Sequence, residues 1–451
     1  MPSFRDFRDP VHGFIRLEGR ECDVVDTPIF QRLRRIKQLA LAHLVYPGAV
    51  HTRLEHTLGV VHVAGRLCQR LQVEAEPTRI IRLAALLHDI GHGPFSHPSE
   101  EVLAALVTAE GRTEGSETHK IHEVITREII RTDPDLRRLI SERDREDIIK
   151  LLDKGWGPPL NKDIVSGPLD ADKQDYLLRD SHHCGVRYGI YDISRFHDVL
   201  CRVSDDPGDL LAVDEDGVNT LEQFVLARYY LTTQVISHKG RRITDAMLVR
   251  ALTLGATADG VEFLRRLYMF EPGEMFVQEY VRWNDERLMS RLLEPECERT
   301  WVGRLFRRLA ERRLLKIVFR RAMTEFPDLI LDSDRAGSLA TLIEKDVAAV
   351  LNVEPEEVIF RVQRSPPTRK SEGAVLIAGP NNQPQPFESR SMVFRSVDQS
   401  LREEHLECYA PLDNLEEQER RQVLSDVEAA VVRQLGRLST QQNLFGERHE
   451  A

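Results

Sequence analysis

The chain has 451 residues, a formal net charge of -11, 41% hydrophobic and 30% charged residues. That length accommodates two or three domains, or one large helical body with an appendage, and the composition allows a sizeable buried core. The acidic balance argues against a dedicated nucleic-acid surface. No stretch approaches the roughly 20 apolar residues that would span a membrane. The six cysteines are scattered too widely for a disulfide framework or a zinc knuckle. Met1-Pro-Ser-Phe-Arg-Asp6 lacks the apolar core of a signal peptide, so the cytoplasm is the expected compartment.

Phe4 to Leu17, broken at Pro10 and Gly13, predicts a small hairpin. Asp26-Thr27-Pro28 reads as a helix start. That helix would place Phe30, Leu33, Ile36 and Leu39 on one face, with Gln31, Arg34, Arg35, Lys37 and Gln38 opposite. Tyr46-Pro47-Gly48 is a turn. His51 to Gly59 opens a second helix with a packing stripe of Leu54, Leu58, Val61 and Gly65. Gly59 and Gly65 weaken a helix but let a neighbour approach closely. Arg53 and His56 share a face, either as a surface pair or as a metal ligand beside a cation for a substrate anion.

The densest cluster of chemistry runs from Leu83 to His97. Leu83, Leu86, Leu87 and Ile90 fall at helical spacing, so the helix is buried on that side. It would carry His88 and Asp89, with His92 one turn on. Gly91, Gly93 and Pro94 then stop it, and the following loop presents His97. Imidazoles and a carboxylate at the end of a buried helix need partners or a metal.

Residues 101–117 read as a loop, and His119 and His122 begin the next helix. Residues 133–168 read as charged helix and loop, with a break at Gly155-Trp-Gly-Pro-Pro159. Asp172, Tyr176 and Asp180 then stack along one helical stripe at i, i+4 and i+8. Such a stripe is costly to bury without metal or ligand partners, whereas Asp175 and Arg179 read as a plain i, i+4 salt bridge. Residues 187–217 are loop-rich with two short strands. Asn219 and Glu222 suggest a capped helix running through Phe224, Arg228, Leu231 and Val235 to Lys239, followed by further helices to 314. Strand-type runs occupy 358–362, 374–378 and 392–394, and a last amphipathic helix covers 414–437 with a frayed tail from Ser439. The fold class expected is mainly α, with a helical catalytic part at 1–320 and a smaller α+β region at 321–451.

His56, His88, Asp89 and Asp172 make a mixed nitrogen and oxygen site suited to a borderline divalent ion such as Fe, Mn, Ni or Zn, with positions open for water and substrate. Thiols are absent from the set, which argues against structural zinc. The reaction class this suggests is metal-assisted hydrolysis of a phosphoester. Arg53, Lys173 and Arg228 would supply the fixed positive charge a polyphosphate requires. His92, His97 and His122 are further imidazoles, one of which would protonate the leaving oxygen.

His56…His88-Asp89…Asp172 resembles the metal quartet of HD-domain phosphohydrolases. Five further stretches extend the likeness: Asp9-Pro-Val-His-Gly13, Phe30-Gln-Arg-Leu-Arg34 with Lys37-Gln-Leu39, His51 to Gly59, His88 to His97, and Asp172-Lys-Gln-Asp-Tyr176 to His183. Together, over 1–250, they resemble the deoxynucleoside triphosphate triphosphohydrolases, which include bacterial dGTPase-like enzymes and the vertebrate SAM- and HD-domain dNTPase. The resemblance implies an HD-type helical core and His56, His88, Asp89 and Asp172 as ligands of a divalent metal left open among Mn, Fe, Mg, Ni and Zn. His97 would be the general acid toward the 5′-oxygen, oriented by Glu100, where the family more often has Asp. His92 and His122, or His119 in its place, would touch the α-phosphate. Arg53, Lys173 and Arg228 would hold phosphates, Tyr176 would lie against the sugar and disfavour a 2′-hydroxyl, and Asp180 with Gln38 would bind the 3′-hydroxyl.

The implied reaction turns a dNTP and water into deoxynucleoside and inorganic triphosphate. A homo-oligomer is implied as well, and parts of the family are activated by a nucleotide. Asp26, Gln31 and Arg34 match an activator-binding region, although Arg5 replaces a lysine, and Ile236 stands where the vertebrate enzyme has a tyrosine. Two other readings compete. One is a different HD-type phosphohydrolase acting on nucleoside monophosphates, cyclic nucleotides or guanosine tetraphosphate, for which Arg228 should matter little. The other is a non-enzymatic nucleotide-binding regulatory subunit, against which the intact quartet argues.

Overall fold

The computed structural model describes residues 4–109, 121–205, 208–327, 329, 333–363, 375–380, 383–394, 404–413 and 415–446. His119 lies outside them. Strands β1 (Phe4–Asp9) and β2 (Gly13–Glu18) pair antiparallel as the expected hairpin. Its turn is held by Asp9, whose Oδ1 accepts the N–H groups of Val11 and His12, and by Gly13 at φ 76°. Ile15 and Leu17 bury the hairpin against the helical body.

Thr27 and Pro28 do start a helix, but it covers only Pro28–Gln31 before tightening to a 3₁₀ turn at Arg32–Arg35. The long helix expected through Leu39 does not form. Arg32 turns inward and donates to the carbonyls of Trp283 (2.9 Å) and His92 (2.8 Å), and Lys37 pairs with Thr52 as an isolated bridge. The Arg53–Arg70 helix follows, its start fixed by Glu55 accepting the Thr52 N–H at 2.6 Å. It packs against the Ala75–Leu87 and Ala171–Cys184 helices.

His88 and Asp89 lie just past the end of the Ala75–Leu87 helix, with His88 as its C-cap, rather than on the helix as expected. Residues 88–96 form turns, and His97 opens a helix, His97–Ala109, where 101–109 had been expected as loop. The Gly-rich stretch at 110–115 masked a helical apolar stripe at Val102, Leu103 and Val107, which the structure buries. Another unexpected helix, Ile193–Val199, is capped by Asp192 and anchored by buried Phe196. The Val218–Leu231 helix starts one residue before Asn219, and Glu222 accepts from the Ser391 hydroxyl instead of capping it. It widens into a π-type turn at Thr232–Ile236, and His238 then caps a separate helix, Lys239–Ala256.

Two small sheets involve the C-terminal region. β5 (Lys316–Ala322), β9 (His405–Ala410) and β6 (Ile359–Gln363) form one in the order β5-β9-β6. The Ser333–Leu351 and Glu417–Gly446 helices cover it over a second core containing Val318, Ile343, Val347, Leu406, Val427 and Val431. The other has the order β3-β4-β7-β8. There β7 (Leu376–Ala378) joins β4 (Leu210–Val213) in parallel through Ile377 and Val213, flanked by β3 (Leu200–Val203) and β8 (Pro384–Pro386). Met392–Phe394, expected as a strand, is a helical turn whose Phe394 packs on Phe387. The last helix continues to Gly446 instead of fraying at Ser439. Among the described residues, no helix is long and apolar enough to cross a membrane, and the six cysteines form no disulfide.

Candidate active site

Two helices and the turn that ends a third bring the predicted metal ligands together. His56 comes from the Arg53–Arg70 helix, His88 and Asp89 from the turn after Leu87, and Asp172 from the first turn of the Ala171–Cys184 helix, whose N-cap is Asp170. Ligand atoms of His56, His88 and Asp172 all lie within 4.8 Å of one another. Asp89 adds Oδ1 at 3.3 Å from His88 Nε2 and Oδ2 at 3.8 Å from His56 Nε2.

The ring orientations fit a metal. His88 Nδ1 donates to the Ala85 carbonyl at 2.8 Å, and His56 Nδ1 lies 2.8 Å from Asp175 Oδ2. Both Nε2 atoms are buried without a hydrogen-bond partner and face the two carboxylates. This is the arrangement in which an outer partner fixes the tautomer and leaves the inner nitrogen as ligand. Burial opposes charge on His56, but the carboxylates of Asp172, 3.0 Å from Nε2, and Asp175, 2.8 Å from Nδ1, lift its pKa to about 10. The inner nitrogen therefore sits where positive charge is demanded. Burial would raise Asp89, yet Arg53, His88 and His92 hold it well below the usual carboxylate range.

A second cluster adjoins the first. Glu100, in the first turn of the His97–Ala109 helix, lies 2.7 Å from His92 Nδ1, 2.9 Å from His122 Nδ1 and 3.3 Å from His97 Nδ1. It thus faces three imidazoles, although sequence reasoning assigned it to His97 alone. His92 and His122 stack with centroids 4.2 Å apart. Burial, reinforced by Arg53 and His122, pushes His92 down to about 4, whereas Glu100 outweighs burial and raises His122. The His97 side chain is 63% exposed, the accessible member of the set.

Both clusters open on one cavity of about 450 Å³, a size suited to a small organic ligand. Gln38, Arg53, Lys173, Tyr176 and Asp180 line it with His88, Asp89, His92, His97, His122 and Asp172. Arg53 is held by Asp89 (2.5 Å) and Ser96 Oγ (2.8 Å). Ser96 and Phe95 both adopt positive φ (55° and 63°), a strained pair of non-glycine residues pinned where Asp285 accepts the Phe95 N–H at 2.7 Å. Lys173 Nζ donates to Asp170 (2.8 Å) and to the Gly167 carbonyl (3.1 Å). Asp180 lies 2.8 Å from His51 Nε2, and His51 stacks on His183. Arg228 is not among the cavity-lining residues, but Arg241 is.

Sequence reasoning missed Asp175 as more than an ion pair. Its carboxylate does take Arg179 in a fork (2.9 Å twice), but it also meets His12 Nε2 at 2.7 Å and His56. Its place one turn after Asp172 was the available signal. For Arg241 nothing in the linear pattern distinguished it from an ordinary surface residue, and His51 stood out only as the first residue of the 51–59 stretch, without a role.

Residues 53–179 match a family model described as an HD domain, and residues 199–425 one described as an HD associated region. The uncharacterized protein YwfO of Bacillus subtilis is 30% identical over 69% of this chain and 71% of its own. Deoxynucleoside triphosphate triphosphohydrolase SAMHD1 of Homo sapiens is 34% identical over 56% of this chain and 44% of its own. The chain spans 44–48% of the length of several such relatives, about half. A crystal structure of a hypothetical protein from Aquifex aeolicus superposes with a TM-score of 0.68 at 28% identity, covering 94% of this chain and 100% of that one.

Proposed function

The chain belongs to the HD-domain phosphohydrolase family with an HD-associated region, and from that membership we propose that it hydrolyses deoxynucleoside triphosphates to deoxynucleoside and inorganic triphosphate. The observation that carries the reading is the convergence of two buried, unpartnered imidazole nitrogens on Asp172 and Asp89. His56, His88, Asp89 and Asp172 would hold a divalent metal, which when bound supplies Lewis acidity to a phosphoryl oxygen and to water. Arg53 and Lys173 hold phosphate oxygens beside it. His92 and His122 face the α-phosphate, with Glu100 fixing both rings. His97, exposed at the cavity rim, delivers the proton to the departing 5′-oxygen. Tyr176 packs against the sugar, and Gln38 and Asp180 take the 3′-hydroxyl.

Residues 1–320 serve as the hydrolase body, and 321–451 as an oligomerisation or regulatory region. A nucleotide activator at Asp26, Gln31 and Arg34 would have to displace existing pairs. Arg5 forks onto Asp26 (2.5 and 2.7 Å), and Arg34 binds Gln31 (2.6 Å). Arg228 lying off the cavity favours a second reading, an HD-type hydrolase of nucleoside monophosphates, cyclic nucleotides or guanosine tetraphosphate. The test is triphosphate release by the metal-loaded protein from each of the four dNTPs, with and without GTP or dGTP. The alternative substrates run alongside. Release of inorganic triphosphate from a dNTP upholds the proposal. Its absence from all four, with turnover of an alternative substrate, replaces it.

A further inference from the structure

The turn of the N-terminal hairpin, Asp9-Pro-Val-His-Gly13, sends two side chains inward, away from its own sheet. Their partners lie 163 and 170 residues on in the chain. His12 Nε2 is 2.7 Å from Asp175 Oδ1, and Asp9 Oδ2 accepts from Arg179 Nη1 at 2.8 Å. The turn is itself locked, because Asp9 Oδ1 takes the N–H groups of Val11 and His12.

Each oxygen of Asp175 serves two nitrogens. Oδ1 is shared by His12 and Arg179 Nη2 (2.9 Å), and Oδ2 by Arg179 Nε (2.9 Å) and His56 Nδ1 (2.8 Å). The His12 side chain is 5% exposed, and those of Asp175 and Arg179 are closed to solvent. His56 and Arg179 belong to the two helices that carry the site, whereas His12 ties Asp175 to a separate element, and Asp9 ties Arg179 to that same element. The hairpin thus braces the outer side of the metal site at two points. Without the imidazole, Oδ1 is one donor short in a buried place, which is unfavourable. Any shift of the carboxylate that relieves this passes through Oδ2 to the His56 ring, whose Nε2 faces Asp172 at 3.0 Å.

We propose that His12 is a positioning residue for the metal site, acting through Asp175 to set the direction of His56. The hairpin then serves divalent-ion binding as well as packing.

The inference rests on the metal site and not on the nucleotide reading, and its test needs no turnover. Cobalt(II) is titrated into the metal-free protein against a competing chelator, and its visible spectrum, which reports ligand geometry, is recorded. The proteins are the wild type, His12→Ala, His12→Gln and Ile15→Ala. Glutamine carries an amide N–H about as far from the backbone as imidazole Nε2. Ile15 is fully buried in the hairpin's inner face, so Ile15→Ala loosens the hairpin while every partner of Asp175 stays in place. Loss of a direct outer partner weakens metal binding by roughly 10–100-fold. One step further out, His12→Ala should weaken it by roughly 5–20-fold and shift the cobalt bands, with His12→Gln restoring affinity to within about twofold. Ile15→Ala should lower the urea midpoint and leave affinity and bands unchanged. Wild-type affinity in His12→Ala, an equal loss in Ile15→Ala, or a loss that His12→Gln does not restore overturns the proposal. Should His12→Ala not fold, His12→Asn, whose shorter amide stops short of Asp175, takes its place. A wild type that binds no cobalt removes the metal site and this role of His12 together. A metal-binding protein that releases no triphosphate loses the proposed activity and leaves the role of His12 standing.

Discussion

Replacing Gly59 by alanine should loosen the site rather than stiffen the helix that carries it. By propensity alone the change favours the folded state by about 0.8–1 kcal/mol. In the structure, however, a Cβ at residue 59 would overlap Asp175 Oδ1 and Arg179 Nη2 and come within 2.6 Å of Asp175 Cγ. Neither side chain can swing away. Both are fully buried, and Asp175 is gripped at once by Arg179, His12 and His56. Relief requires either separating the Arg53–Arg70 and Ala171–Cys184 helices or breaking the ion pair. Overpacking of a core costs roughly 1–3 kcal/mol and breaking a buried pair roughly 3–5 kcal/mol. Set against the propensity gain, the net loss should be about 0–2 kcal/mol if the helices separate and about 2–4 kcal/mol if the ion pair breaks. Because Asp175 also orients His56, metal affinity should fall roughly 10–100-fold. Urea unfolding followed by circular dichroism, with a competitive metal titration, measures both. Gly65→Ala is the control, since a Cβ there meets only the end of the Arg82 side chain, and it should shift the midpoint far less. A Gly59→Ala protein that unfolds at the wild-type urea concentration and keeps its metal affinity would refute this account of the helix contact.

His97→Ala should lower kcat roughly 10²–10⁴-fold while leaving metal content intact; an unchanged kcat removes His97 from proton transfer. His56→Ala and Asp172→Ala should each strip the divalent ion, read by elemental analysis of the purified protein, and retention of a full equivalent by either would dissolve the quartet. Asp285 supplies a pH test. Burial lifts its pKa to about 6, partly offset by the N–H groups of Lys37 and Phe95. A carboxyl raised on folding favours the protonated state. Its contribution is therefore complete below about pH 4 and lost as pH rises through 6, a swing of roughly 3 kcal/mol. Asp285→Asn should flatten that slope in unfolding experiments between pH 4 and 7, and identical slopes would exclude it.

Local signals in the sequence reached the hairpin, the Asp172–Tyr176–Asp180 stripe and the residue types that gather at the cavity, because each depends on spacing within a few residues. What escaped depended on partners distant in the chain. Arg32 ends its helix early for carbonyls at Trp283 and His92. Asp175 looked like an i, i+4 pair because its other partners, His12 and His56, are more than 100 residues away. Strands β5 and β9 were missed, their apolar residues being shared between two cores. Phe394 read as a strand residue because the sequence alone does not show that it packs on Phe387.

The pairing of β7 with β4 bears on how the molecule comes apart. Ile377, Phe387 and Phe394 belong to the same hydrophobic cluster as the helical body, although the chain has by then contributed β5 and β6 to the other sheet. The two clusters are laced together by a returning segment instead of being strung in series. Truncation at any single point between them would strand half a sheet, so loss of activity in a shortened protein would report unfolding of the whole before it reported the role of the missing part.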